Sequence, residues 1–318
     1  MFLRHIHAKT AGLMPFAVAL ILVGTAVSQE VSPEEGAAYT AWHAASQAND
    51  TTKAMAAATA YLKEFPSGQY AGFLKQWLGK AHLAALDAAI KASRTADMLK
   101  VGQEILTVDP DNVNVLYALA TGVRSQELLA SPANYAHAAD AAAFGRKAIA
   151  LIEKGQTPGE LPKETALAYL YQVLGLCEAK NGNSAQAIGF FEKSTALASG
   201  DVQVAGRNLL AVLAMRQASY ADAAKAYNSL PEADRGAAEP TPEVKAALDK
   251  VNVEADGLID VAARFVAFAT VKNLPQSTRD RVFGLLENVY KTRHPEDATG
   301  LQALVDEKVK ALGGGSGD

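Results

Sequence analysis

Leu258, Val261, Ala262, Phe265 and Phe268 recur at three- and four-residue intervals, which places them on one face of a helix that needs a covering surface. Comparable stretches, separated by polar turn residues, run along most of the chain. Ser32-Pro33-Glu34-Glu35 combines a capping residue, a first-turn proline and two acids set against the helix dipole, so a helix starts there and runs to about Gln47. Asn49-Asp50-Thr51 breaks it and caps a second helix that stops at Phe65-Pro66. A longer helix is predicted over 69–90 and a partner over 95–108, where Asp109-Pro110-Asp111-Asn112 makes a turn and the next cap. The following pair is 113–129 and 136–153, with an inserted loop at 130–135 and a Gly- and Pro-rich break at 155–162. Then 163–180 pairs with 184–198 across Asn181-Gly182-Asn183, a turn suited to positive φ. Residues 202–217 are expected to pair with 220–229. After an Ala-, Pro- and Glu-rich linker, Thr241-Pro242-Glu243 opens a long helix, followed by helices over 277–292 and 296–312.

Within this all-α pattern, residues 171–227 carry a specific spacing. Tyr171-Gln172-Val173-Leu174-Gly175 is followed twelve residues after the glycine by Ala187, then by Phe191 and Ser194; Leu210, Ala223 and Tyr227 fall in register in the next pair. This resembles the tetratricopeptide repeat, with its order of aromatic, Leu-Gly, Ala, aromatic and Pro. Trp77, Leu78-Gly79 and His82 match again, and Pro66 sits where the pattern has its proline. The positions matching the small residue are Gly79, Ala120, Gly175 and Ala211, separated by 41, 55 and 36 residues, against about 34 in an ideal array. Glu178 and Ala214 occupy the second aromatic position and Ser199 replaces the last proline, so the repeats are degenerate. The resemblance covers about residues 69–229, with a weaker hairpin before it, and implies a right-handed solenoid of helical hairpins over 29–230. The Ala-, Pro- and Glu-rich linker at 231–242 leads to helices over 243–312 that depart from the repeat pattern and read as a cap, and 313–318 reads as a flexible tail. The apolar face around Phe265 is expected to close the end of the stack; a dimer or docking surface is the alternative.

The first 28 residues change the setting. Arg4, His5, His7 and Lys9 precede an apolar run over 11–23, and Ala26 and Ser28 stand at −3 and −1 of a cut before Gln29. That is the layout of a secretory signal peptide. The run is short for a bilayer and contains Pro15, which argues against an uncleaved anchor. The mature chain is therefore expected on the far side of the membrane, in a bacterial periplasm, with no integral span. A hydrophobic content of 49% in 318 residues allows a large core, and an alanine-rich, aromatic-poor composition favours closely packed helices. The net charge of −4, two units more negative without Arg4 and Lys9, and the lack of a basic stripe argue against nucleic acid. Cys177 is the only cysteine, so no internal disulfide forms and the residue reads as a buried apolar one.

Catalytic signatures are missing. There is no phosphate-cradling loop with a lysine, no Gly-x-Ser-x-Gly and no His-Glu-x-x-His. His43, His82, His137 and His294 lack metal-ligand spacing, and Glu34-Glu35 reads as a pair of helix-start charges. A protein without enzymatic activity, cofactor or metal is expected. In the family it resembles, the first helix of each hairpin lines a concave face. Carried over in register, that face holds Phe73, Gln76, Lys80 and Leu83, then Asn114, Tyr117, Thr121 and Arg124. It continues with Tyr169, Gln172 and Leu176, then Asn208, Val212 and Met215. Gln76, Lys80, Asn114, Tyr117, Thr121, Arg124, Tyr169, Gln172, Asn208 and Met215 are the expected partner-binding residues. Amides pair with the backbone of an extended peptide, tyrosines add contact area, and Arg124 and Lys80 suit a carboxylate. The family's Lys and Asn clamp for a C-terminal carboxylate is not reproduced. The expected function is a non-catalytic envelope scaffold or assembly subunit that binds a protein or peptide. A periplasmic small-ligand receptor and a helical hydrolase are the alternatives.

Overall fold

Short polar connections that cap one helix and end another dictate the architecture. The computed structural model describes residues 31–198, 200–297 and 299–313. The expected signal segment and all of the tail except Gly313 lie outside them. Among the described residues there are thirteen α-helices and no strand, and no helix is long and apolar enough to cross a membrane. The chain divides into two compact units, one ending at Leu78 and the other beginning at Gly79.

The first unit contains α1 (Pro33–Gln47), α2 (Thr51–Glu64) and the start of α3 (Ala71–Lys91). Both predicted caps are present: Ser32 Oγ accepts from the Glu35 amide at 3.1 Å and Asp50 Oδ1 from the Lys53 amide at 3.0 Å. Trp42, Ala54, Ala58, Tyr61, Leu74 and Leu78 form its core. Glu35 corrects the sequence reading. Glu34 is exposed, but Glu35 is buried. Its carboxylate accepts from the Tyr61 hydroxyl and from the Gln69 amide at 2.7 Å, while Tyr61 Oη accepts from the Tyr70 amide at 3.1 Å. Glu35 thus pins the connection to α3.

The second unit continues with α4 (Thr95–Val108), α5 (Val113–Val123), α6 (Ala138–Glu153), α7 (Lys163–Lys180) and α8 (Ser184–Leu197). It ends with α9 (Val202–Asn228), the short α10 (Glu232–Arg235), α11 (Pro242–Val271), α12 (Gln276–Arg293) and α13 (Gly300–Ala311). Helices α4 to α9 pack sequentially, and α7 also touches α5 and α9. The predicted α7–α8 hairpin is present, and its spacing has a steric reason. The Phe191 ring covers Gly175 so closely that a Cβ there would lie 2.8 Å from ring atoms. Gly79, assigned the same role, is exposed and touches nothing at that position.

Two further expectations are corrected. The break expected after Gln217 is absent: α9 runs unbroken for 27 residues, because Ala218-Ser219 contains neither glycine nor proline to stop it. Its long partner is α11, on which α12 and α13 also pack. The segment expected as a linker contains α10. One core cluster runs from Phe191, Leu209 and Leu213 to Leu258, Phe265, Phe268, Leu286 and Val305. The apolar face around Phe265 is thus covered from within the chain.

Candidate functional site

Helix α5 does not end at Val123 but widens into a π-helical turn over Arg124–Leu128, closed by the Leu129 amide donating to the Arg124 carbonyl at 2.9 Å. Such turns re-aim side chains and recur at functional sites. Its first residue, Arg124, closes α5 and reaches α7. Arg124 Nε donates to Gln172 Oε1 at 2.5 Å, and the guanidinium carbon lies 4.7 Å from the centre of the Tyr169 ring. Gln172 Nε2 donates to Asn208 Oδ1 at 2.6 Å, Asn208 Nδ2 to Ser194 Oγ at 2.8 Å, and Ser194 Oγ to the Ala168 carbonyl at 2.6 Å. This relay joins the π turn to α7, α9 and α8. Gln172, Ser194 and Asn208 are fully buried and all hydrogen-bonded, as polar groups in a dry interior must be.

On the other side of Arg124, Tyr169 Oη donates to Asp201 Oδ2 at 2.6 Å. Asp201 caps α9: its Oδ1 accepts from the Gln203 and Val204 amides, both at 3.0 Å. Burial works against the charge of Arg124 and lowers its pKa from the usual value, while Tyr169, Tyr117 and Asp201 oppose that shift and Arg207 adds to it. Burial, followed by Asp201, raises the pKa of Tyr169; burial, followed by Tyr169, raises that of Tyr117. Both phenols therefore remain protonated donors at neutral pH. Burial also acts to raise the Asp201 pKa, but the Tyr169 hydroxyl and the two amides outweigh it and hold the carboxyl below its ordinary range.

The structure brings together Tyr117, Arg124, Tyr169, Gln172 and Asn208 of the predicted face. It does not present them all to solvent. Tyr117, Arg124 and Tyr169 are half-buried, whereas Gln172 and Asn208, expected to reach a peptide backbone, lie inside with their amides bonded to each other. Asn114 is exposed and Oδ1 accepts from the Gly159 amide at 2.7 Å, so it ties down the loop before α7. Thr121 Oγ1 donates back to the Tyr117 carbonyl at 2.7 Å. Met215 is half-buried against the core that includes α11. Lys80 is exposed on α3, and Gln76 is exposed in the first unit. Sequence reasoning missed Asp201 and Ser194. The Asp201 signal was its position just before α9; nothing local marks Ser194 as an acceptor for a side chain fourteen residues away.

Away from this cluster, other polar groups tie down the chain. Glu127, buried in the π turn, accepts from the His137 amide at 3.3 Å and pairs with His137 Nδ1 at 2.7 Å, which fastens the inserted loop. Burial pushes the Cys177 thiol up to about 11, with only partial opposition from Arg146, so it is a thiol and not a thiolate at neutral pH. Among the described residues no three His, Cys, Asp or Glu side chains are grouped to hold a metal ion. A cleft of about 300 Å³ on α11, α12 and α13 is lined by Val266, Phe283 and Val305 together with Arg279 and Asp306. Compared with protein-family models, with curated proteins and with solved structures, the chain matches none.

Proposed function

We propose that the chain is a non-catalytic, exported protein-binding scaffold or assembly subunit of the cell envelope. In this reading the α5–α7–α9 region holds a protein or extended peptide, as the resemblance to tetratricopeptide repeats implies. The observation that carries it is the half-buried cluster of Tyr117, Arg124 and Tyr169, wired from below by the Gln172–Asn208–Ser194 relay. Two aromatic rings and a guanidinium, held in place before any partner arrives, are the composition of a binding hot spot. The wiring uses neutral amides and a hydroxyl and leaves no nucleophile activated, which suits recognition and not turnover.

The test is affinity capture from native envelope extract with the chain from Gln29 onward, side by side with a Tyr117→Ala variant. The scaffold reading expects one or a few stoichiometric proteins that the variant loses while its circular dichroism stays unchanged. Capture that is indifferent to Tyr117→Ala would remove the binding surface from α5. The small-ligand reading draws on the cleft lined by Val266 and Phe283, whose size is at the low end of ligand sites; capture of nothing would direct ligand screening there.

A further inference from the structure

We propose that Arg124 receives a side-chain carboxylate of the partner, so that the bound segment is an extended peptide with an Asp or Glu at one fixed position. This rests on the peptide-binding reading above. Arg124 is half-buried, yet among the described residues its terminal nitrogens Nη1 and Nη2 form neither a hydrogen bond nor an ion pair; only Nε is engaged. Asp201 acts on it from beyond ion-pair distance, and both Asp201 oxygens are held by Tyr169 and the first turn of α9. A guanidinium withdrawn from water ordinarily finds a carboxylate. This one is instead oriented by a neutral amide that is itself oriented by Asn208, and its carbon lies over the Tyr169 ring. The outcome is a two-pronged donor left open in a fixed direction.

Tyr117 stands nearby. Its hydroxyl has no hydrogen-bond partner among the described residues, and it lies close enough to couple electrostatically with Arg124. A planar carboxylate matches the paired Nη donors in a bidentate arrangement. Arg207 and Asp201 also act electrostatically on Arg124, with opposite signs. Because the relay already fixes the guanidinium, little side-chain freedom is lost on binding.

The experiment is selection of a displayed random-peptide library on the full chain, followed by affinity measurement with a selected peptide. The expected result is enrichment of peptides that share one acidic position. Changing that residue to its amide weakens binding about tenfold or more, a typical loss for a hydrogen bond to a charged group. Arg124→Gln has the same effect, the two losses do not add, and Arg124→Lys recovers only part. If Arg124→Gln fails to fold, the acid-to-amide change on the unaltered chain together with Arg124→Lys carries the test. Selected peptides without a shared acid, or additive losses, would overturn the carboxylate site and leave peptide binding standing. Displacement of the peptide by millimolar inorganic phosphate would reassign the site to phosphate. No enrichment at all would overturn both.

Discussion

His82 shows how a single side chain acquires a consequence that its sequence position hides. It occupies a ring position of the repeat-like pattern on α3 and is buried, with Nε2 3.4 Å from Glu104 Oε2. Burial lowers its pKa below the usual value, and Glu104 opposes this only in part. The unfolded chain therefore binds the proton more readily than the folded one. The associated stability is present above the ordinary histidine range and is lost as pH falls through it towards the lower folded value. The chain is expected to lose denaturant midpoint between pH 7 and pH 5, and His82→Leu to lose less over the same interval; equal losses would clear His82 of the effect. Residue-scale legibility was uneven. Ser32 and Asp50 are visible as caps because a cap needs only its own next turn. Glu35 looked like one more dipole charge because its acceptor role depends on Tyr61 and Gln69, far along the chain.

At the scale of elements, local caps and glycine turns place most helices to within a few residues, and α4 and α7 have the predicted bounds. Helix α13 starts at Gly300 and not at 296, and α9 departs furthest. Repeat spacing predicted a turn after Gln217, but a resemblance at Ala223 and Tyr227 contains no chain-breaking chemistry, and α9 continues to Asn228. Ala218 is an exposed interior position of that helix. Ala218→Pro is expected to cost about 3 kcal/mol and to lower the melting temperature by roughly 6–12 °C for a unit of this size. Were a turn present there, proline would be tolerated and the melt unchanged. The π turn after Val123 was equally unreadable, since it replaces four-residue hydrogen bonding with five over only Arg124–Leu128. Arg124 is its first residue and still follows the α5 register, its amide donating to the Ala120 carbonyl.

At the scale of the whole molecule, the C-terminal helices contribute Leu258, Phe265, Phe268 and Leu286 to the core that α7–α9 also line. A chain ending at Thr241 is expected to lose cooperative unfolding and to bind a hydrophobic dye, because the face of α9 that meets α11 would be bare. A sharp melt with native helicity in that truncated chain would show instead that α11–α13 are dispensable. The sequence by itself determined that the described chain is helical, where most helices start and stop, and which glycine the α7–α8 hairpin requires. Each of these depends on neighbours within a few residues or on one helical turn. Tertiary structure alone decided that Gln172 and Asn208 face inward, that Ser194 anchors their relay, and that α9 takes α11 as its partner. Those outcomes follow from packing and from the need to satisfy buried polar groups across separations of 14 to 48 residues, which no local pattern encodes.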